Sequence, residues 1–100
     1  MVRTSDVADK DIQEAYLWYL QRSPELAHRW MVGLLDKLES LSTMPGRCPI
    51  ASENERFEEV TIRQHLYGKY RILFFVIEPY NGDQGVVQVI RVIHSARNTI

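Results

Sequence analysis

One hundred residues, 45% of them apolar and 25% charged, are enough for one compact domain that buries roughly two thirds of its extended-chain surface. A single cysteine, Cys48, excludes an intrachain disulfide framework and a multi-thiolate metal site. A formal charge of -1 argues against a generic polyanion binder. Residues 60–100 nevertheless carry 5 Lys/Arg against 2 Asp/Glu, while residues 1–59 carry 7 against 11, so a local anion site is allowed.

Residues 1–100 are read as a single domain. No stretch is long enough to span a bilayer, and no basic region followed by an apolar one opens the chain, so a soluble cytoplasmic protein is expected. A short opening strand over Met1 to Arg3 is allowed. Thr4 or Ser5 can cap a first helix, with Asp6 and Asp9 favourable at its positive end. Ala8, Ile12, Ala15, Tyr16 and Tyr19 form its apolar stripe. Beyond that stripe Tyr16-Leu17-Trp18-Tyr19-Leu20 is apolar through more than a full turn, so a second neighbour must cover it: the next helix or a bound partner segment.

Ser23-Pro24-Glu25 starts a second helix, with Ser capping and Pro where its missing N–H does no harm. Ala27, Trp30, Met31, Leu34, Leu38 and Leu41 repeat at helical spacing up to Pro45-Gly46, and the short joint predicts a helical hairpin. Gly33 inside this helix costs about 1 kcal/mol relative to Ala and suits a close approach of helices. From Thr43 to Phe57 the composition is that of a surface loop, in which Cys48 reads as a small packing residue. The acidic cluster of Glu53, Glu55, Glu58 and Glu59 reads as solvated.

Val60, Ile62 and Leu66 alternate with Thr61, Arg63 and His65, as in a strand with one apolar and one polar face. Tyr67-Gly68-Lys69 turns into a second strand, Tyr70 to Ile77, apolar enough to be covered on both faces. Glu78-Pro79 closes it, and Asn81-Gly82-Asp83 with Gly85 reverses the chain into a last strand from Val86 to His94. Pairing Leu66 with Tyr70 would put Arg63, His65 and Arg71 on one face, while His94 could fall on either. The fold class is therefore α+β, a helical hairpin packed on a small, mainly antiparallel sheet of three or four strands.

This order resembles the RelE/ParE toxin superfamily, the toxic halves of bacterial toxin–antitoxin pairs, also described as plasmid stabilisation proteins. The resemblance rests on Ala8 and Asp11, Ser23-Pro24 with Ala27 and Trp30, and Leu38 and Leu41 before Pro45. It continues through Ile62-Arg63 with Leu66, Tyr70-Arg71-Ile72-Leu73-Phe74, and Ile90-Arg91-Val92-Ile93-His94 with Arg97. It implies a cognate antitoxin and one of two activities. RelE-like members cleave messenger RNA in the ribosome; ParE-like members poison DNA gyrase.

Attack of a ribose 2′-hydroxyl on the adjacent phosphate needs a base, an acid for the leaving oxygen and cations for the transition state, with no metal or other cofactor required. The resemblance puts Arg71 at a phosphate contact, Arg63 where some of these nucleases carry a Lys, His94 at an acid/base position and Arg97 near a further family arginine. Plain structural alternatives stand beside these roles: Arg71 pairing with a loop Glu such as Glu58 or Glu59, and His94 and Arg97 bonding nearby backbone, while Arg91 reads as snorkelling or forming a structural ion pair. Against cleavage, the chain has no counterpart of the RelE C-terminal helix and its Tyr, and its net charge is low for a site made of RNA. The reading carried forward is a type II toxin with ribosome-dependent mRNA cleavage, with gyrase inhibition as the rival. A third reading is a non-catalytic module holding a partner helix on Trp18, Tyr19 and Trp30.

Overall fold

The computed structural model describes residues 1–43, 45–77 and 85–96. Two serines set the helices in place. Ser5 Oγ accepts the Ala8 N–H at 3.1 Å and Ser23 Oγ the Leu26 N–H at 3.3 Å, fixing the starts of α1 (Asp6–Leu20) and α2 (Pro24–Ser40). Before them lies the short strand β1 (Val2–Thr4), and after them come β2 (Arg63–Tyr67), β3 (Tyr70–Ile77) and β4 (Val86–His94). The sheet order is β1-β4-β3-β2, with β1 parallel to β4 and the other pairs antiparallel. Both helices lie in the crossover from β1, since parallel neighbours cannot be joined by a tight turn. The reversal expected at Glu78-Pro79 and Asn81-Gly82-Asp83 lies outside the described residues.

The helical side of the sheet is the larger core, where Trp30, Leu34 and Leu38 of α2 meet Ile72, Phe74 and Val89. On the opposite face Leu73 and Ile93 pack beneath Ala51 and Ile62. That cover comes from the chain between α2 and β2, including short 3-10 turns at Pro45–Arg47 and Ser52–Arg56. It explains why every residue from Tyr70 to Phe74 is buried although helices cover one side only.

The hairpin register differs from expectation by one residue. Tyr67 pairs with Tyr70, so only Gly68 and Lys69 form the loop, with Gly68 at φ +54. A slip of one exchanges faces throughout a strand. Arg63, His65 and Tyr67 therefore look toward the helices, alongside Phe74, Ile72 and Tyr70, whereas Arg71 lies on the other face beside Leu66 and Ile93. The shared face expected for Arg63, His65 and Arg71 does not exist. β2 also starts later than its alternation suggested, at Arg63 rather than near Val60.

Gly33 serves an approach other than helix on helix. A Cβ there would stand 2.2 Å from the Tyr67 hydroxyl, which donates to the Trp30 carbonyl at 2.8 Å, so the missing side chain admits a tyrosine from β2 into the α2 surface. In β4 the pairing shifts between Leu73/Arg91 and Phe74/Val89, leaving Ile90 as an extra residue. This bulge lets Val89 and Val92, three apart, both face the helical core.

Where β1 ends, α1 takes over the edge of β4. The Ser5 N–H donates to the Val89 carbonyl at 2.9 Å, and Asp11 Oδ2 accepts the Val92 N–H at 3.0 Å. The same carboxylate binds Arg91 through Nε at 2.7 Å and Nη2 at 3.0 Å, holding that guanidinium even further above its ordinary pKa. Arg91 thus forms the ion pair its position between apolar residues suggested. Asp11→Asn keeps an acceptor but loses the charge, and is expected to lower the urea-derived unfolding free energy by about 1 kcal/mol.

Candidate functional site

A cleft of about 770 Å³ opens between the second half of α1 and the strand ends beside the β2–β3 turn. Its walls include Trp18, Tyr19, Tyr70 and His94, with Glu14 and Lys69 among its charged groups. The aromatic rings are coupled. Tyr19 stacks on Trp30 at 5.5 Å between centroids, Trp30 meets Tyr70 edge-on at 5.3 Å, and Tyr70 meets His94 edge-on at 5.2 Å. The cleft wall therefore rests on the core and is not a loose surface patch.

Of the three residues expected to hold a partner, two line this cleft. Trp18 is 49% exposed, and Arg22 sits with its guanidinium carbon 3.3 Å from the Trp18 ring centroid while donating to the Trp18 carbonyl at 3.0 Å. Tyr19 is half-buried. Trp30 is 8% exposed and belongs to the core; its contribution is to back Tyr19. Tyr16 and Tyr19 pack against the core, Tyr19 on Trp30 of the second helix, but Leu17, Trp18 and Leu20 are exposed, so part of the apolar surplus on α1 remains uncovered among the described residues.

His94 reaches the same cleft from the end of β4, paired with Tyr70, on the helical side of the sheet. Its Nδ1 accepts the Ala96 N–H at 3.1 Å, the local backbone bond that was its structural alternative, which leaves Nε2 as its second polar atom. Arg97 lies outside the described residues.

Arg71 is elsewhere. It is 7% exposed on the opposite face, donating through Nη1 to Glu53 Oε2 at 2.8 Å and through Nη2 to Glu53 Oε1 at 2.6 Å, with Nε on Gln64 Oε1 at 3.0 Å. Glu53 is itself 4% exposed, and the arginine hydrogen bonds hold its carboxyl below the usual glutamate pKa. The acidic cluster is thus not uniformly solvated: Glu55, Glu58 and Glu59 are exposed, but Glu53 is buried. Arg71 does pair with a glutamate of that loop, and the residue is Glu53, neither of the two given as examples. A cation in an apolar strand requires a buried counter-charge, and Glu53 is where the 3-10 turn delivers one.

Arg63 donates through Nη1 to the Cys48 carbonyl at 2.7 Å and lines a separate depression with Glu59 and Thr61. Beside it Cys48 Sγ lies 3.8 Å from His65 Nδ1. Burial raises the thiol pKa despite Arg63, and burial aided by Lys37 lowers that of the imidazole, so both groups are neutral at neutral pH. The three cationic candidates among the described residues are therefore not gathered: His94 shares a cleft with Trp18 and Tyr19, Arg63 lies at a different depression, and Arg71 lies across the sheet. Among the described residues no group of three or more His, Cys, Asp or Glu is arranged to hold a metal ion, and no helix is long and apolar enough to cross a membrane.

A helical hairpin on one face of a small mixed sheet is the architecture expected of the RelE/ParE toxins, and the family match puts the chain among them. It belongs to the family described as the ParE toxin of the type II toxin-antitoxin system, parDE, which matches over residues 2–99. No curated protein matches the chain. The family implies a cognate antitoxin as partner.

Proposed function

We propose that this toxin poisons DNA gyrase in the cytoplasm by protein contact, and that it is not a ribosome-dependent mRNA nuclease. The observation that carries this reading is the separation of the cations. Cleavage at a phosphate needs a base, an acid and a transition-state cation within reach of one group of atoms. Arg71 is engaged by Glu53 on one face of the sheet, while His94 and Arg63 look to the other from different depressions. Low net charge points the same way, because entry into an RNA site draws on many cationic contacts. An aromatic cleft with an exposed Trp is, by contrast, the usual makings of a protein-binding hot spot.

The test compares two products of the same wild-type toxin. Purified gyrase turning over plasmid DNA is expected to accumulate cleaved DNA, while mRNA ends in a translating extract stay unchanged. New mRNA ends that disappear in His94→Gln, with gyrase unaffected, would reject the reading. Arg71→Ala is a poor probe, since removing it strands Glu53 in the core and confounds folding with chemistry.

A further inference from the structure

The aromatic cleft carries cations that no described acid neutralises. Arg71 and Arg91 are each held by a carboxylate, but Arg22 and Lys69 have no Asp or Glu within ion-pair distance among the described residues. Lys69 is exposed in the two-residue loop on the strand side of the cleft. Arg22 stands just past the end of α1, its guanidinium carbon 3.3 Å from the centroid of the Trp18 ring. One of its five N–H donors goes to the Trp18 carbonyl, among the last of the helix, and no other described residue accepts from that side chain. A guanidinium stacked on an aromatic ring keeps its remaining donors for an acceptor beside the ring.

Trp18 and Arg22 thus act as one unit, an exposed ring for apolar packing with charged donors at its margin. Tyr19 meets Trp18 edge-on at 5.0 Å between centroids and braces it from the core side. The acid of the same cleft, Glu14, lies one turn before Trp18, and its charge is felt by Arg91. After the Asp11 hydrogen bond, which dominates, it helps to hold that guanidinium above its ordinary pKa. The charge left without an internal answer is therefore positive.

We propose that the gyrase segment seated in this cleft is acidic, with a carboxylate at the Arg22 margin and a neighbouring apolar side chain against Trp18 and Tyr19. Lys69 adds attraction from the strand side. The proposal rests on the gyrase reading and gives the chemistry of the segment that is bound. It also makes Arg22 a positioning residue, which fixes Trp18 before the partner arrives. A second copy of this chain offers an acidic segment too, since Phe57 is 37% exposed and Glu55, Glu58 and Glu59 near it are exposed. Seating that loop in a neighbour's cleft joins two different patches head to tail, which builds rings or filaments and not a closed pair.

The test measures binding of purified toxin to purified gyrase without DNA. All of the varied residues are exposed, so urea midpoints should match wild type. Lys69→Glu and Arg22→Glu should each weaken binding roughly tenfold or more, and Glu14→Gln should leave it unchanged or tighten it. Arg22→Lys keeps the charge but loses the fork and the stack, and should fall between wild type and Arg22→Glu. Wild-type affinity should drop as salt rises, and drop less steeply in Lys69→Glu. Binding indifferent to both charge reversals would overturn the proposal. So would the opposite signs, weaker in Glu14→Gln and tighter in Lys69→Glu, which mark a basic segment. An effect seen only once DNA is added would assign the cations to phosphate and overturn it as well. Self-association in sedimentation that Lys69→Glu abolishes would give the cleft to a second copy. Wild type that neither binds gyrase nor traps cleaved DNA overturns the gyrase reading and this proposal together, whereas failure of the proposal alone leaves wild-type binding intact.

Discussion

Glu53→Gln is expected to be among the most damaging single changes in this protein, lowering stability by about 3 kcal/mol or more and Tm by roughly 12 °C or more. The substitution leaves volume almost unchanged, so the loss is electrostatic. With Gln at position 53 the Arg71 guanidinium loses its charged bidentate partner while the surroundings stay dry. The pH dependence provides a second readout. Because the folded-state pKa of Glu53 is lowered, its stabilisation is fully present above the ordinary carboxylate range and drains away as pH falls through the lowered value. Wild type should therefore lose urea resistance in acid more steeply than Glu53→Gln. The paired change Glu53→Leu with Arg71→Met should recover much of the loss, since an apolar pair of similar size needs no counter-charge. If Glu53→Gln melts with wild type, the pair contributes nothing and the cover over Leu73 and Ile93 is held by apolar contacts alone.

Gly33→Ala should destabilise, against the usual rule for a helix interior. Ala gains about 1 kcal/mol in helix propensity, but its Cβ would enter the space of a Tyr67 hydroxyl anchored on the Trp30 carbonyl, with the ring carbons only 3.0 and 3.1 Å away. The ring is also in contact with Trp30, so it has little room to retreat. A net loss of about 1–2 kcal/mol is expected by chemical denaturation. In a Tyr67→Phe background the same change should cost clearly less, because the closest atom has been removed. Equal costs in both backgrounds would show that Tyr67 does not occupy the site that Gly33 leaves open.

Local chemistry was the most readable layer of this sequence. Ser5 and Ser23-Pro24 announced both helix starts, and the apolar run from Tyr70 announced a strand buried on two sides. What pattern could not reach were facts settled by a single residue of offset or by a partner distant in sequence. The hairpin loop holds two residues and not three, which sent Arg71 to the face away from Arg63 and His94. The bulge at Ile90 breaks the alternation of β4 at the point where His94 had to be assigned a side. Glu53 looked like its acidic neighbours because composition does not distinguish a carboxylate beneath a turn from one on top of it. A buried arginine was the clue that some loop acid must turn inward, but not which one. The cleft was half legible: the apolar excess at Trp18 and Tyr19 pointed to it, while Lys69 and Glu14 carried no sequence pattern that would place them beside His94.

The pairing of β1 with β4 has a temporal consequence. Ser5, which caps α1, also donates its hydroxyl proton to the Ile90 carbonyl 85 residues away, and among the described residues β1 has no sheet neighbour but β4. While the chain is being synthesised, β1 and the Ser5 hydroxyl thus wait for β4 before these contacts can form. The helical hairpin can form early from local contacts, but the assembled sheet cannot. A nascent chain still lacking β4 has no completed toxin fold.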